Sequence, residues 1–221
     1  MALKLKGEVS RDGRPLEDYD YGFLFDRSGS MDTRERSYNN MSRWDYGVKE
    51  LIQPFVNAVQ EIDSDGIDLA VFDNEIEIFE NTTSDRIASV FKSVRPRGGT
   101  STASAIERMV NTYRQRQSGK PYILICATDG EPTDARRHSR LSPEDDVRDV
   151  IIQATKSLKQ GEFYITFIQV GSASGATAFL EDLDDNLTGA AYDMVSSMSV
   201  KNLTSLLPEQ ILRMALTGKI S

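Results

Sequence analysis

Cysteine and histidine each occur once in the 221 residues, as Cys126 and His138. A lone cysteine cannot close an internal disulfide, which fits a reducing compartment. One cysteine and one histidine also cannot build a zinc site, which takes clustered thiolate and imidazole ligands. No apolar run approaches the ~20 residues of a membrane-spanning helix. The first residues, from Met1 to Glu8, lack an apolar segment of signal-peptide length. A soluble cytoplasmic protein is the expectation. Positive charge is in the minority, with 26 Lys and Arg against 34 Asp and Glu, a net charge of -8 and a pI near 4.8. That balance argues against general nucleic-acid binding, which needs cations to displace counterions from phosphates, and against docking on an anionic membrane. There is no Gly/Ser linker, low-complexity run or internal repeat to divide the chain. Phosphate-binding loops are missing too. Gly98-Gly99-Thr100 lacks the Gly-Lys-Ser/Thr ending, and no G-x-G-x-x-G follows the first strand.

What remains is enough chain for one α/β domain with a full core. Short apolar runs alternate with helical stripes. Residues 21–25 are the first central-strand candidate. Trp44, Val48, Leu51, Phe55, Val59 and Ile62 recur at helical spacing, with Pro54 inside the stripe, where it kinks or interrupts the helix because it cannot donate to the carbonyl of Glu50. Residues 67–72 and 76–79 are strands joined by three residues, a hairpin, so one of them is antiparallel. Ile87, Val90, Phe91 and Val94 mark a short helix, and Ile106, Met109, Val110 and Tyr113 another. Residues 122–127 and 163–170 are near-continuous apolar runs, as in strands covered on both faces. Between them Val147, Val150, Ile151, Ala154 and Leu158 form a helical stripe that Gly161 is placed to end. A helix over 179–187, a short strand over 192–195 and a last helix from Pro208 to Gly218 complete the pattern. The order predicts a doubly wound, mostly parallel sheet with one antiparallel edge strand and helices on both faces, a Rossmann-like architecture. Residues 19–218 form this domain. Residues 1–18 are an arm or extra strand, with a local hairpin at Arg11-Asp12-Gly13-Arg14 as the plainer reading.

In such sheets ligands bind beyond the carboxyl ends of the strands, where this sequence places its small polar and acidic residues. The first strand runs into Asp26-Arg27-Ser28-Gly29-Ser30. The loop before the 106–113 helix reads Arg97-Gly98-Gly99-Thr100, and the strand over 122–127 runs on into Thr128-Asp129-Gly130. Converging, they offer two carboxylates and three hydroxyls, hard oxygen donors suited to Mg²⁺, Mn²⁺ or Ca²⁺ with water completing the shell. Taken singly, each piece is an ordinary polar turn or helix cap.

The combination of D-x-S-x-S, Gly-Gly-Thr and T-D-G at a strand end resembles the metal-ion-dependent adhesion site of von Willebrand factor A domains, the class that includes integrin I domains. The resemblance implies Asp26, Ser28, Ser30, Thr100 and Asp129 as ligands of a divalent cation, Mg²⁺ foremost. It implies a binding module, not an enzyme: with hydroxyls supplying most direct contacts, the ion stays under-neutralised and attracts an acidic residue of a partner protein. Intracellular bacterial members suggest an AAA-type ATPase or a stress-response assembly as partner. Arg27, Arg34, Arg97, Arg136 and Arg137 form a candidate rim that steers an acidic ligand. Alternatively, the arginines of these loops pair with nearby Asp32, Glu35, Asp45, Asp134, Glu144 and Asp145. Two other functions use the same cluster: a homo-oligomeric structural subunit whose copies cap one another's metal, and a Mg²⁺-dependent hydrolase. The hydrolase lacks a base, since His138 lies in a polar loop and Cys126 in an apolar strand.

Overall fold

A computed structural model of the protein describes residues 3–116, 118–198 and 206–218. Six strands form one sheet in the order β3-β2-β1-β4-β5-β6. They are β1 Asp20–Asp26, β2 Ile67–Phe72, β3 Ile76–Thr82, β4 Tyr122–Thr128, β5 Phe163–Gln169 and β6 Val195–Met198. Every pairing is parallel except β2 with β3, as the three-residue connection requires. Each residue of β1, β2, β4 and β5 is buried, which is why these strands read as largely apolar runs; β3, on the edge, is mostly half-buried or exposed.

The alternation of side chains divides the core. Phe23, Phe25, Leu69, Val71, Ile123 and Ile125 face one layer, packed by α1 Arg43–Tyr46, a π-helical stretch Gly47–Ile52, α2 Gln53–Val59 and α3 Ser84–Ser93. Leu24, Ala70, Phe72, Leu124, Cys126, Ile165 and Phe167 face the other, under α4 Thr102–Gln115, α5 Pro143–Ser157 and α6 Ser174–Asp185. The last helix, α7 Pro208–Thr217, returns to the first layer through Ile211, Leu212 and Leu216 and ends at Gly218 in the left-handed conformation.

Pro54 neither ends nor sharply breaks its helix. The missing donor is absorbed by the wider π-turns just before it, and α2 continues with Pro54 in its first turn. Two expectations are corrected. The last strand lies at Val195–Met198 rather than 192–195, because Tyr192 instead turns its hydroxyl to the carbonyl oxygens of Leu158 and Lys159. Helix α5 ends at Ser157 with Leu158 already extended, so Gly161 serves the following turn at φ +87 and not the helix cap.

At the amino end Ser10 and Arg14 close a local turn, with a bridge between Val9 and Pro15. Leu3, Leu5 and Leu16 are buried in the first core layer. Asp12 gathers the hydroxyls of Ser10, Tyr19 and Tyr164. Among the described residues no helix is long and apolar enough to cross a membrane.

Candidate metal centre

The chain leaves β1 towards β2 on one side and later enters β4 on the other, so the strand order reverses between β1 and β4. A crevice opens beyond the carboxyl ends of such a pair. Asp26 is the last residue of β1 and Asp129 follows the last residue of β4. Both are enclosed, at 0% and 1% exposure.

Short hydrogen bonds fix both carboxylates. Asp26 Oδ1 accepts from the Ser28 backbone N–H at 2.7 Å, an Asx turn that folds the D-x-S-x-S segment back on itself. Asp26 Oδ2 accepts from Thr128 Oγ1 at 2.6 Å. The Ser28 and Ser30 hydroxyls lie 3.0 Å apart, and Ser30 donates to Asp129 Oδ1 at 2.9 Å. Burial, and then the neighbouring Asp129 carboxylate, push Asp26 up to about 7, against the lowering hydrogen bonds from Thr128 and Ser28. The pair is an electrostatic debt that a cation would settle.

The second loop is built onto the first. Arg97 N–H donates to the Arg27 carbonyl at 2.7 Å, and Gly29 N–H to the Gly98 carbonyl at 3.2 Å. Thr100 is buried, and its N–H is shared between Thr133 Oγ1 at 2.8 Å and Asp134 Oδ2 at 3.2 Å. Asn74, from the β2–β3 turn, clamps this loop: Oδ1 accepts from Gly99 N–H at 2.8 Å and Nδ2 donates to Asp134 at 2.9 Å. Any side chain at position 99 would collide, since its Cβ would sit 2.2 Å from Asp134 Oδ2. All five candidate ligands thus lie on three loops in mutual contact. The donor set is two carboxylates with hydroxyls, and among the described residues no group of three or more His, Cys, Asp or Glu side chains is arranged to hold a metal. The residues fit a hard divalent cation and not a thiolate- or imidazole-bound one.

The rim differs from expectation. Arg27 is 2% exposed and turned into the protein: Nε lies 3.1 Å from Asp73 Oδ2 as an ion pair without hydrogen-bond geometry, and Nη1 bonds Glu77. It is an internal counter-charge, not a rim group. Arg97 is exposed but held by Asp73 and Glu75. Arg136 is enclosed by Glu107, Asp146 and Asp149. Arg34 is exposed and donates to the Asn40 carbonyl, and Arg137 is exposed. The arginine that does reach the candidate ligands is Arg43, whose Nη1 donates to Asp129 Oδ2 at 2.7 Å.

Asn74, Thr133 and Arg43 organise the site without standing in the three motifs. Their partners in the site lie 25 to 86 positions away in sequence, so no local spacing announces them. Gly171 offers one faint signal: a glycine directly after an apolar strand, at φ +87, whose Cβ would lie 2.4 Å from Arg43 Nε.

A six-stranded sheet of this order, one antiparallel edge strand, helices on both faces and a polar crevice between β1 and β4 make a fold similar to that of von Willebrand factor A domains. Residues 22–131, which contain all three loops, match the family model described as the von Willebrand factor type A domain. Among curated proteins, the E3 ubiquitin-protein ligase RGLG1 of Arabidopsis thaliana is 28% identical over 111 residues, 49% of this chain but 21% of that protein. Among solved structures, the PilB minor pilin of Streptococcus sanguinis superposes with a TM-score of 0.64 at 15% identity, covering 88% of this chain and 59% of that one. The vWF domain of the pilus tip protein Mfa5 of Porphyromonas gingivalis gives 0.57 at 12% identity, covering 88% and 94%. The chain therefore spans only part of the first two relatives, and likeness at these identities concerns the fold.

Proposed function

We propose that this domain is a divalent-cation-dependent protein-binding module that captures an acidic residue of a partner. The observation that carries the reading is the juxtaposition of Asp26 and Asp129, two enclosed carboxylates joined through the Ser28–Ser30 hydroxyl pair at the mouth of the β1–β4 crevice. Burying two like charges is unfavourable unless positive charge compensates them, and Arg43 meets Asp129 but not Asp26. Asp26, Ser28, Ser30, Thr100 and Asp129 would hold that cation, with Mg²⁺ the first candidate and Mn²⁺ or Ca²⁺ the alternatives. When bound it supplies an electropositive centre open to an incoming carboxylate. The protein's own part is positional. Thr128 and the Ser28 N–H aim Asp26, Asn74 and Thr133 hold the Thr100 loop, and Arg34 and Arg137 carry exposed positive charge on the loops that follow Ser30 and Asp129, for an acidic protein ligand, of which an AAA-type ATPase or a stress-response assembly is the proposed class.

The test is a titration of the protein with Mg²⁺ and Mn²⁺, with a pull-down from lysate with and without EDTA. One bound ion, lost in Asp26→Ala together with EDTA-sensitive partner retention, is the expected outcome. Retention indifferent to both EDTA and Asp26→Ala rejects the metal bridge.

A further inference from the structure

Resting on the cation-binding reading above, we propose that Arg43 is a built-in counter-cation of the site, which competes with a divalent ion for Asp129 and couples that competition to the loop over residues 33–43. The guanidinium divides its donors. Nε and Nη2 both reach Glu35 Oε1, at 2.9 and 2.6 Å, while Nη1 reaches into the crevice to Asp129 Oδ2 at 2.7 Å. With Ser30 on Oδ1, both oxygens of Asp129 are already engaged. The place is built for this side chain: the bare Cα of Gly171 leaves the space that Nε occupies.

The same arginine closes the loop. Its backbone N–H donates to the Thr33 carbonyl at 2.9 Å, Arg34 and Ser42 form a bridge, and Glu35 N–H donates to Met41 at 3.0 Å. Tyr38, inside the loop, accepts from Gly171 N–H at 2.8 Å. A positive charge on Asp129 repels an incoming cation and occupies an oxygen that the cation or its water would use. Glu35 gives Arg43 a second partner, so the guanidinium can release Asp129 without being left unpaired. Coupling between two ligands of one group is reciprocal: whatever factor Arg43 takes from metal affinity, the metal takes from the Arg43–Asp129 contact and from the closure of the loop.

The experiment is calorimetric titration of the whole chain with Mn²⁺, with folding of each variant verified by circular dichroism. Arg43→Gln is expected to bind Mn²⁺ about tenfold more tightly than the parent chain. Glu35→Gln, which leaves Arg43 with Asp129 alone, is expected to bind more weakly, and Arg43→Lys to stay near the parent. Opposite signs at two partnered residues cannot come from general loosening. Hydrogen exchange of residues 33–43 should accelerate on Mn²⁺ addition in the parent and not in Arg43→Gln. Equal or weaker binding by Arg43→Gln, with the parent binding normally, overturns this proposal alone. Absence of binding by both overturns it together with the cation-binding reading.

Discussion

Ser30 donates its hydroxyl to Asp129 Oδ1 at 2.9 Å across 99 positions of sequence, closing the crevice between the first and fourth strands. Neither residue would stand out alone, since Ser30 sits on an exposed turn and Asp129 follows a buried strand. Together with Asp26 they set two carboxylates into a small enclosed volume, and the first prediction follows from that charge. In EDTA, Asp26→Asn should raise thermal stability, by on the order of 2 kcal/mol, because it removes a desolvated charge from beside Asp129 and keeps the acceptor for Ser28 N–H. Adding Mg²⁺ should raise the melting temperature of the parent and leave the variant unmoved. A variant less stable than the parent in EDTA contradicts the electrostatic account.

Asn74 holds Gly99 and Asp134 from outside the motifs. Asn74→Ala should weaken Mn²⁺ binding by about tenfold, as loss of a supporting contact typically does. Its melting temperature should change little, because the side chain is exposed. Calorimetry beside a thermal melt separates the two effects.

Arg27 stands inside the D-x-S-x-S segment but serves the fold. Removing it takes one of two arginine partners from Asp73, which is 3% exposed, and leaves only Arg97, a largely exposed side chain, to balance it. Arg27→Met should cost about 3 kcal/mol of unfolding free energy, measured by urea denaturation, while the folded fraction retains its metal stoichiometry. Loss of metal binding in a fully folded variant would return Arg27 to the site.

Burial pushes the Asp12 carboxyl up, but hydrogen bonds from Ser10, Tyr19, the Arg14 N–H and Tyr164 outweigh it and bring the group down to about 2. A depressed carboxyl stabilises the fold above its unfolded pKa, near 3.8, and that contribution is lost as pH falls through about 2. Asp12→Asn should therefore cost on the order of 1 kcal/mol at neutral pH, after allowance for its partly open side. The two proteins should converge between about pH 4 and pH 2. A constant gap down to pH 2 rules out the titration.

The central strands were legible because burial on both faces leaves little room for polar residues. The runs at 122–127 and 163–170 differ from the observed β4 and β5 by one residue at one end. Strand β6 was displaced because a short edge strand carries half-exposed Ser196 and Ser197, and the apolar signal lay in Tyr192, which packs elsewhere. The three loops could be read because each ligand candidate sits in a local pattern. Arg27 could not be placed, since sequence shows charge but not the direction of a side chain after a strand. The acids that neutralise Arg97 and Arg136 lie 10 to 29 positions away, too far for proximity in sequence to suggest.

The amino-terminal segment and α7 meet through Glu8 with Arg213 and through Arg11 packed beside Gly218. Arg11 also donates to the Met194 carbonyl, just ahead of β6, at the pole of the sheet opposite Asp26 and Asp129. Both ends of the fold are thus gathered at its back. A fluorophore or surface linker attached near Glu8 or Gly218 would stand at the pole opposite the crevice and leave it facing outward, an orientation suited to immobilised binding assays.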